Sequence, residues 1–402
     1  MVYLTRRGGE PIITDFEKYS IVTEGSVKIV LPSEISGFDS KVFYNPRMAL
    51  CRDLSVLAAR QFQSELGRPL KVADPMTGSG IRGLRYAAEV ESVERVFLND
   101  ILPESTTVAY VNSMLNRLVE KVDIQCLDAN LFLNLHSTPG KRFNIIDLDP
   151  YGSPAPYLDS AVRSIVDGGL LAITATDMAV LCGVKPSACL RKYGGRPLRC
   201  EYSKEIGLRL LIATLISVAV RQGVAVKLKF SHSTGHYLRV YAILTRSARD
   251  AADNVEQIGY VKHCFTCLSR SASKGLVQVG KCGRCGEPLS FAGPLYLGPL
   301  ADRNFVEGML RIYEMSNNHY KSQLDRILSL VLDEIDGPPT YYTVDSLCRR
   351  VGVVTPSPKP LVNYLRGMGY RSMLTHFDGR AFKTEAPIDV IEDSILILRG
   401  SR

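Results

Sequence analysis

Three groupings of residues in this 402-residue chain have the types and spacing to do chemistry. The first is Asp149-Pro150-Tyr151-Gly152-Ser153-Pro154, just past a strand-like run at 143–147. A carboxylate, a backbone carbonyl and an aromatic ring in succession suit the exocyclic amino group of a base. Such an amine is a poor nucleophile because its lone pair is delocalised into the ring. Asp149 and the Pro150 carbonyl can accept its two hydrogens and stabilise the charge that develops, while Tyr151 stacks on the base. The second grouping is Asp74-Pro75-Met76-Thr77-Gly78-Ser79-Gly80-Ile81-Arg82-Gly83. Glycines here let the backbone approach a ligand closely, and a helix opening at this point offers unpaired N–H groups and a positive dipole end. The third is Cys264-x2-Cys267 followed, after 14 residues, by Cys282-x2-Cys285, the spacing of a zinc-ribbon or rubredoxin-like pair of knuckles. Gly283 and Gly286 are expected to supply the backbone freedom of the second knuckle. Four thiolates leave no open coordination position, so this zinc is expected to be structural.

The elements that must position these groups follow from the apolar pattern. Strands are expected at 70–74, 95–99, 122–126, 143–147 and 169–174, with helices between them such as 104–118 and 157–167. This βαβ rhythm predicts an α/β fold with a mostly parallel sheet. After a long apolar helix at 203–221, two strand-like runs, 225–231 and 237–245, stand only a few residues apart. That is too close for a parallel crossover, so the sheet is expected to end in one antiparallel strand. The first strand delivers the Gly78-x-Gly80-x-x-Gly83 loop. The second ends at Asn99-Asp100, where a carboxylate is placed to take the hydroxyls of an adenosine ribose. A nicotinamide dinucleotide and S-adenosylmethionine both fit these features. The third strand ends at Asp128-Ala129, and Asp128 reads either as a partner for an adenine amino group or as a helix N-cap. The fourth strand separates the two cofactors. Its Asp-Pro-Tyr sequence is of the (D/N/S)-P-P-(Y/F) type carried by methyltransferases that act on base amino groups, and this selects S-adenosylmethionine. Arg52 and Arg82 suit the methionine carboxylate of that cofactor through bidentate pairing; otherwise they read as surface arginines on helix faces.

Length and composition support two domains: 46 % of residues are hydrophobic and 22 % charged, ordinary for a globular chain. The boundary is expected near 248–254, giving domains 1–250 and 251–402. The longest apolar run, 210–220, is too short to span a bilayer, and the first twenty residues carry no secretory pattern. A cytoplasmic protein with no membrane association and no obligate protein partner is expected. Cys51, Cys126, Cys182, Cys189, Cys200 and Cys348 read as buried small hydrophobes. A helical stretch is expected at 303–335, and 343–402 reads as a small basic helical module.

The Asp149–Pro154 segment closely resembles the DPFGSP signature of the tRNA (guanine-26-N2)-dimethyltransferases. Val42-Phe43-Tyr44-Asn45-Pro46, Arg52-Asp53-Leu54-Ser55-Val56, Ile81-Arg82-Gly83, Ala175-Thr176-Asp177 and Leu181-Cys182-Gly183 agree, with the four cysteines in register. The resemblance runs from about residue 20 to the C-terminus. It implies a class I, Rossmann-like S-adenosylmethionine-dependent methyltransferase domain joined to a C-terminal α+β zinc-containing domain. By motif position it implies cofactor contacts from Arg52, Arg82, Asp100, Asp128 and Ala129, beside Asp74, Gly78 and Gly80 of the glycine loop. It implies Asp149 as the catalytic carboxylate, Pro150 and Tyr151 shaping the base pocket, and Phe43 and Asp177 near the substrate. The family's usual Phe is Tyr151 here; stacking survives the change, while the added hydroxyl needs a partner.

Charge points to the same substrate class. Residues 185–250 hold 13 Lys and Arg against three acidic residues, a net of +10 in a chain of +8. A basic band beside the expected catalytic loop is what phosphate contacts require. Arg191-Lys192-Tyr193-Gly194-Gly195-Arg196 is expected to be a flexible basic loop in which Arg191, Lys192 and Arg196 contact tRNA. Arg349, Arg350, Lys359, Arg366, Arg371, Arg380 and Lys383 add charge in the C-terminal module. The reading is a direct methyl transfer to guanosine N2 in tRNA. Methylation of an amino group in another nucleic acid, or a non-catalytic zinc-ribbon RNA-binding role, is the alternative.

Overall fold

The computed structural model describes residues 19–32, 42–275, 277–278, 280–316 and 321–400. The stretch 1–18, where no secretory pattern was expected, lies outside the described residues. Strands β1 (Tyr19–Glu24) and β2 (Val27–Pro32) form an antiparallel hairpin that the apolar pattern does not announce. Helix α1 (Ala49–Leu66) follows and ends on Gly67 in the left-handed conformation. Then β3 (Leu70–Asp74), α2 (Ile81–Glu89), β4 (Val93–Asn99), α3 (Pro103–Leu115), β5 (Val122–Gln125), α4 (Ala129–Leu135), β6 (Phe143–Leu148), α5 (Leu158–Ser164) and β7 (Ile165–Ala175) alternate as the sequence predicts. Two short helices, α6 (Met178–Leu181) and α7 (Pro186–Tyr193), and the long α8 (Ser203–Val220) lead to β8 (Val224–Thr234) and β9 (Tyr237–Arg246).

Strands β3 to β9 make one seven-stranded sheet in the order β5-β4-β3-β6-β7-β9-β8. The pairs β3–β4, β3–β6 and β4–β5 are parallel, and β9 runs antiparallel to β8, as expected. Thr234 pairs with Tyr237 across a two-residue turn whose first position, Gly235, takes φ +57°. Every residue of β6 is buried, Asn144 and Asp147 included. Helix α2 lies so close to the sheet that a Cβ on Gly83 would sit 2.1 Å from Leu98 Cδ2 and 3.1 Å from Val96 Cγ1. The third glycine of the loop motif is therefore a packing residue.

By its packing the chain divides into two compact units: Met1–Asp149 with Asp159–Ala172 and Ile312–Tyr320, and Pro150–Leu158 with Ile173–Arg311 and Lys321–Arg402. The second unit continues through α9 (Ala248–Val255) into a three-stranded antiparallel sheet. Its strands are β10 (Ile258–His263), β11 (Arg270–Lys274) and β12 (Ser290–Tyr296), in the order β11-β10-β12. The expected helical stretch 303–335 is two helices, α10 (Arg303–Glu314) and α11 (Lys321–Glu334). The C-terminal module comprises β13 (Tyr342–Thr343), α12 (Val344–Val351), α13 (Pro358–Gly367), β14 (Ser372–Leu374), β15 (Ala381–Thr384) and α14 (Ile388–Gly400). It closes on its own core of Leu347, Leu361, Leu365, Phe382, Ile391 and Ile395. Its three short strands, each of two to four residues, are too brief to leave an alternating signature. The helix expected at 157–167 ends at Ser164 because Ile165 already belongs to β7, where Gly168 turns the chain at φ +74°. No helix among the described residues is long and apolar enough to cross a membrane.

The tight approach of α2 to the sheet yields a prediction. Replacing Gly83 with Ala inserts a methyl group against Leu98 and Val96 and should destabilise the protein by about 1–3 kcal/mol, read as a lower urea midpoint.

Candidate active site and cysteine cluster

The glycine loop is built by its neighbours. Thr77 N donates to Asn99 O at 2.8 Å and Gly78 N to Asp100 Oδ2 at 2.9 Å, while Leu102 N donates to Asp100 Oδ1 at 3.0 Å. Fully buried Asn99 donates to Pro75 O and Leu127 O, each at 3.0 Å, and accepts from Leu127 N, so one amide stitches three strand-end loops together. Gly78 (φ +54°) and Gly80 (φ +84°) adopt conformations that disfavour a side chain, and a Cβ on Gly78 would lie 2.8 Å from Phe43 O. Phe43 itself is exposed. The structure thus brings Phe43, Gly78, Gly80 and Asp100 together at one end of β3 and β4. Asp128 is the N-cap of α4, its Oδ1 accepting from Asn130 N and Leu131 N, and Ala129 is the buried first residue of that helix.

The second feature of this unit is a buried charge cluster. Arg82, on the first turn of α2, donates through Nη1 to Ser55 Oγ at 3.0 Å, pairs with Asp147 at 3.4 Å and is bonded through Nη2 to Asp149 Oδ2. Tyr86, one turn on, donates to Asp147 Oδ2 at 2.5 Å. Asp74 accepts from Thr77 Oγ1 at 2.8 Å and Gly83 N at 3.1 Å. Burial, joined by the charges of Asp147 and Asp149 and opposed by Arg82, raises the Asp74 carboxyl to about 7. Asp149 is the most open of these groups, and its Oδ1 accepts no hydrogen bond from the described residues. Arg52 is likewise buried: Nε donates to Glu24 Oε1 at 2.6 Å and Nη2 to Asn45 O at 3.0 Å. Burial raises the Glu24 carboxyl, but Arg52 and Arg85 outweigh it and hold the group below its ordinary value. Neither arginine is a surface residue, and both are occupied by carboxylates of this chain. Glu24 and Tyr86 belong to the arrangement without any signal in the sequence that marks them, and Ser55 is marked only by lying in the 52–56 segment.

The second unit holds the residues that follow Asp149. Pro150 is buried and Tyr151 is 79 % exposed. The loop is tied to the end of β7 by Gly152 N to Thr176 Oγ1 at 2.8 Å and Thr176 N to Gly152 O at 2.9 Å. Asp177 accepts from Tyr193 Oη at 2.6 Å and from Lys192 Nζ at 3.2 Å. The expected flexible basic loop is a correction: Arg191, Lys192 and Tyr193 are the last turn of α7, closed by Gly194 at φ +67°. Arg196 pairs its backbone with Gly293 and stacks its guanidinium 4.9 Å over Phe291. The basic band is also smaller than its count. Arg209 and Arg239 are buried, while Lys227 and Lys229 pair with Asp250 and Asp302. Lys185, Arg191, Arg196 and Arg199 are exposed together around α7 and the segment after it. In the C-terminal module, Lys383 is buried against Glu205 and Glu334 and presents no charge to solvent.

The cysteines of the two knuckles converge, with all four Sγ atoms within 4.8 Å of one another. A tetrahedral zinc site with bonds of about 2.3 Å places its sulfurs about 3.8 Å apart, so the donor set fits zinc. Cys264 N donates to Ser269 O and Cys282 N to Glu287 O in matching turns. The N–H groups of Cys285 and Arg284 hold the Cys282 thiol down at about 6, favouring the thiolate a metal requires. The residue after each second cysteine takes positive φ: Gly286 at +76°, as expected, but Leu268 at +60° in the first knuckle, whereas Gly283 does not. All ten cysteines are free; Cys126 is exposed, against the buried reading.

A sheet of this order with a glycine loop after its first strand and Asp-Pro-Tyr after its fourth defines an α/β methyltransferase of the amino-group type. The chain belongs to the family described as N2,N2-dimethylguanosine tRNA methyltransferase, whose model matches residues 23–396. It is 36 % identical over 386 residues to the tRNA (guanine(26)-N(2))-dimethyltransferase of Methanosphaera stadtmanae, covering 95 % of this chain and 98 % of that one. It is 39 % identical over 375 residues to the enzyme of the same name from Methanothermobacter thermautotrophicus, covering 92 % and 97 %. The solved complex of Trm1 from Pyrococcus horikoshii with S-adenosyl-L-methionine superposes with a TM-score of 0.83 at 33 % identity, covering 93 % of this chain and 99 % of that one.

The raised Asp74 carboxyl sets a pH dependence. In the unfolded chain an Asp loses its proton near 3.9, whereas the native protein keeps it to about 7. Its contribution to stability is complete below about 4 and is lost as pH rises through 7. Urea denaturation from pH 4 to 8 should show wild type losing ground to Asp74→Asn as pH rises.

Proposed function

We propose that this protein transfers methyl groups from S-adenosylmethionine to the exocyclic N2 of a guanosine in tRNA, position 26 by family, twice in succession, in the cytoplasm. The reading is carried by family membership across nearly the whole chain together with Asp149-Pro150-Tyr151 at the end of β6. The cradle of Gly78 and Gly80, whose backbone leaves no room for side chains, fits a cofactor lying against it. The end of β4 supplies Asp100 for its ribose, and Asp128 and Ala129 flank its adenine. Arg52 and Arg82 keep their assignment to its methionine end, although carboxylates of this chain already pair with both guanidinium groups. When bound, S-adenosylmethionine supplies an electrophilic methyl group.

Asp149 Oδ1 and the Pro150 carbonyl accept the two hydrogens of the guanine amine and turn its lone pair outward. As the nitrogen–carbon bond forms, the methyl–sulfur bond would break with its electron pair left on a neutral thioether; the nitrogen gains positive charge and Asp149 takes up its proton. Arg82 holds Asp149 in place beforehand. Tyr151, largely exposed, stacks on the base, with Phe43 and Asp177 beside it; Arg191, Lys192 and Arg196 with their basic neighbours meet the tRNA backbone. No cysteine takes part. Zinc held by Cys264, Cys267, Cys282 and Cys285 folds the knuckle segment, and residues 251–402 serve as the zinc-binding, tRNA-contacting domain beside a methyltransferase domain of 1–250.

The test is mass spectrometry of nucleosides from unmodified tRNA transcripts incubated with protein and S-adenosylmethionine. N2-methyl- and N2,N2-dimethylguanosine are expected. Their absence on every transcript, with zinc bound, sinks the reading in favour of another nucleic acid or a binding role. Asp149→Ala should cut turnover by about 10²–10⁴-fold with tRNA affinity nearly unchanged. Stripping zinc with a chelator should leave donor binding intact while exposing residues 264–289 to protease.

A further inference from the structure

We propose that Tyr86 is a positioning residue for methyl transfer: by donating to Asp147 it leaves one edge of the Arg82 guanidinium to Asp149, and so fixes the carboxylate that meets the amine. The inference rests on the function proposed above and adds Tyr86 and Asp147 to that site.

The need for such a residue is set by the sequence Asp147-Leu148-Asp149. Side chains two apart along an extended chain point to the same face, so the end of β6 delivers two carboxylates side by side. Both meet a single guanidinium: Arg82 Nη1 lies 3.4 Å from Asp147 Oδ2, and Nη2 is bonded to Asp149 Oδ2. The two acids do not compete equally. The Asp147 side chain is fully buried, whereas 22 % of the Asp149 side chain is exposed and has water as an alternative partner. A buried carboxylate depends entirely on the donors the protein supplies. With Arg82 as its main donor, Asp147 would draw the guanidinium away from Asp149. Tyr86 relieves that competition. It stands four residues after Arg82 on α2, so both side chains leave the same face of the helix. Its hydroxyl donates to Asp147 Oδ2 at 2.5 Å, and the guanidinium stays 3.4 Å from that same oxygen. A short bond from a hydroxyl to a carboxylate is of the strong, charge-assisted kind. On the other side of the fork, Ser55 Oγ accepts from Nη1 at 3.0 Å and itself donates to Cys51 O at 2.8 Å, which steadies the guanidinium plane. Tyr86 is 1 % exposed, and a phenylalanine ring would fill the same volume; what the tyrosine adds is the hydroxyl.

The experiment places Tyr86→Phe in three backgrounds: wild type, Asp147→Asn and Asp149→Ala. Each single and double variant is assayed on a tRNA transcript for kcat, for KM of both substrates and for melting temperature. In the wild-type background Tyr86→Phe should lower kcat about 10-fold with KM for tRNA unchanged, since small misplacements of reacting groups are costly. In Asp147→Asn, where no buried charge competes for Arg82, the same substitution should cost less than about threefold. In Asp149→Ala it should leave the residual rate unchanged, because the group it positions is gone. A wild-type kcat in Tyr86→Phe overturns the proposal, as does an equal 10-fold loss in all three backgrounds. So does a loss that appears only as a raised KM with a lowered melting temperature. Should Tyr86→Phe alone fail to fold, Tyr86→Phe/Asp147→Asn decides: a kcat 10-fold below that of Asp147→Asn overturns the proposal, and one within about threefold supports it. An inactive wild type would instead refute the function on which the proposal rests.

Discussion

A guanidinium buried among three carboxylates constrains the first unit more than any other interaction. Arg82 faces Asp147 and Asp149 directly and acts on Asp74 through space. One positive charge cannot hold three buried negative ones, and the imbalance is settled by a proton that Asp74 keeps up to about 7. Removing a partner from such a cluster leaves an uncompensated buried charge, so each member makes the others necessary. The arrangement exists because α2 lies against the sheet, and it lies there because position 83 is glycine. The same helix carries Arg85, which with Arg52 surrounds Glu24 of the N-terminal hairpin. The packing of one helix therefore sets the position of the carboxylate at the end of β6.

The second unit achieves the same end with hydrogen bonds in place of buried charge balance. Asp177 is paired on both oxygens by adjacent residues of one helical turn, Lys192 and Tyr193. That turn was expected to be loop because it carries two basic residues and two glycines. Gly194 instead closes a helix whose last turn points its charge at a carboxylate, the favourable end for cations.

What the sequence makes legible is what depends on local pattern. The order of β3 to β6 is readable because short β-branched runs alternate with longer amphipathic ones, and the hairpin of β8 and β9 because its turn is short. The cysteine spacing is readable because a knuckle is a local structure. Partners are not readable, because pairing is decided in three dimensions. Arg52 and Arg82 read from sequence alone as surface residues unless a cofactor claims them, and the structure buries both against Glu24, Asp147 and Asp149. Part of the apparent basic charge disappears for the same reason: a charge count cannot separate a solvated side chain from Arg209 and Arg239 of the band, both buried, or from Lys383 of the C-terminal module, sealed between Glu205 and Glu334. Leu268 shows the limit locally, since its positive φ is imposed by a turn that also accepts a non-glycine residue.

The state of Asp149 bears on the number of methyl groups in the proposed reaction. An unmodified guanine amine brings two hydrogens to the site and needs two acceptors. After one transfer it brings a single hydrogen and a methyl group, and one acceptor position must be given over to carbon. A carboxylate with both oxygens free would compete for that remaining hydrogen in more than one geometry. With Oδ2 bonded to Arg82, Asp149 has a single oxygen, Oδ1, left to accept. In the proposed reaction the Pro150 carbonyl, on the loop tied to Thr176, is then the acceptor that gives way to the first methyl.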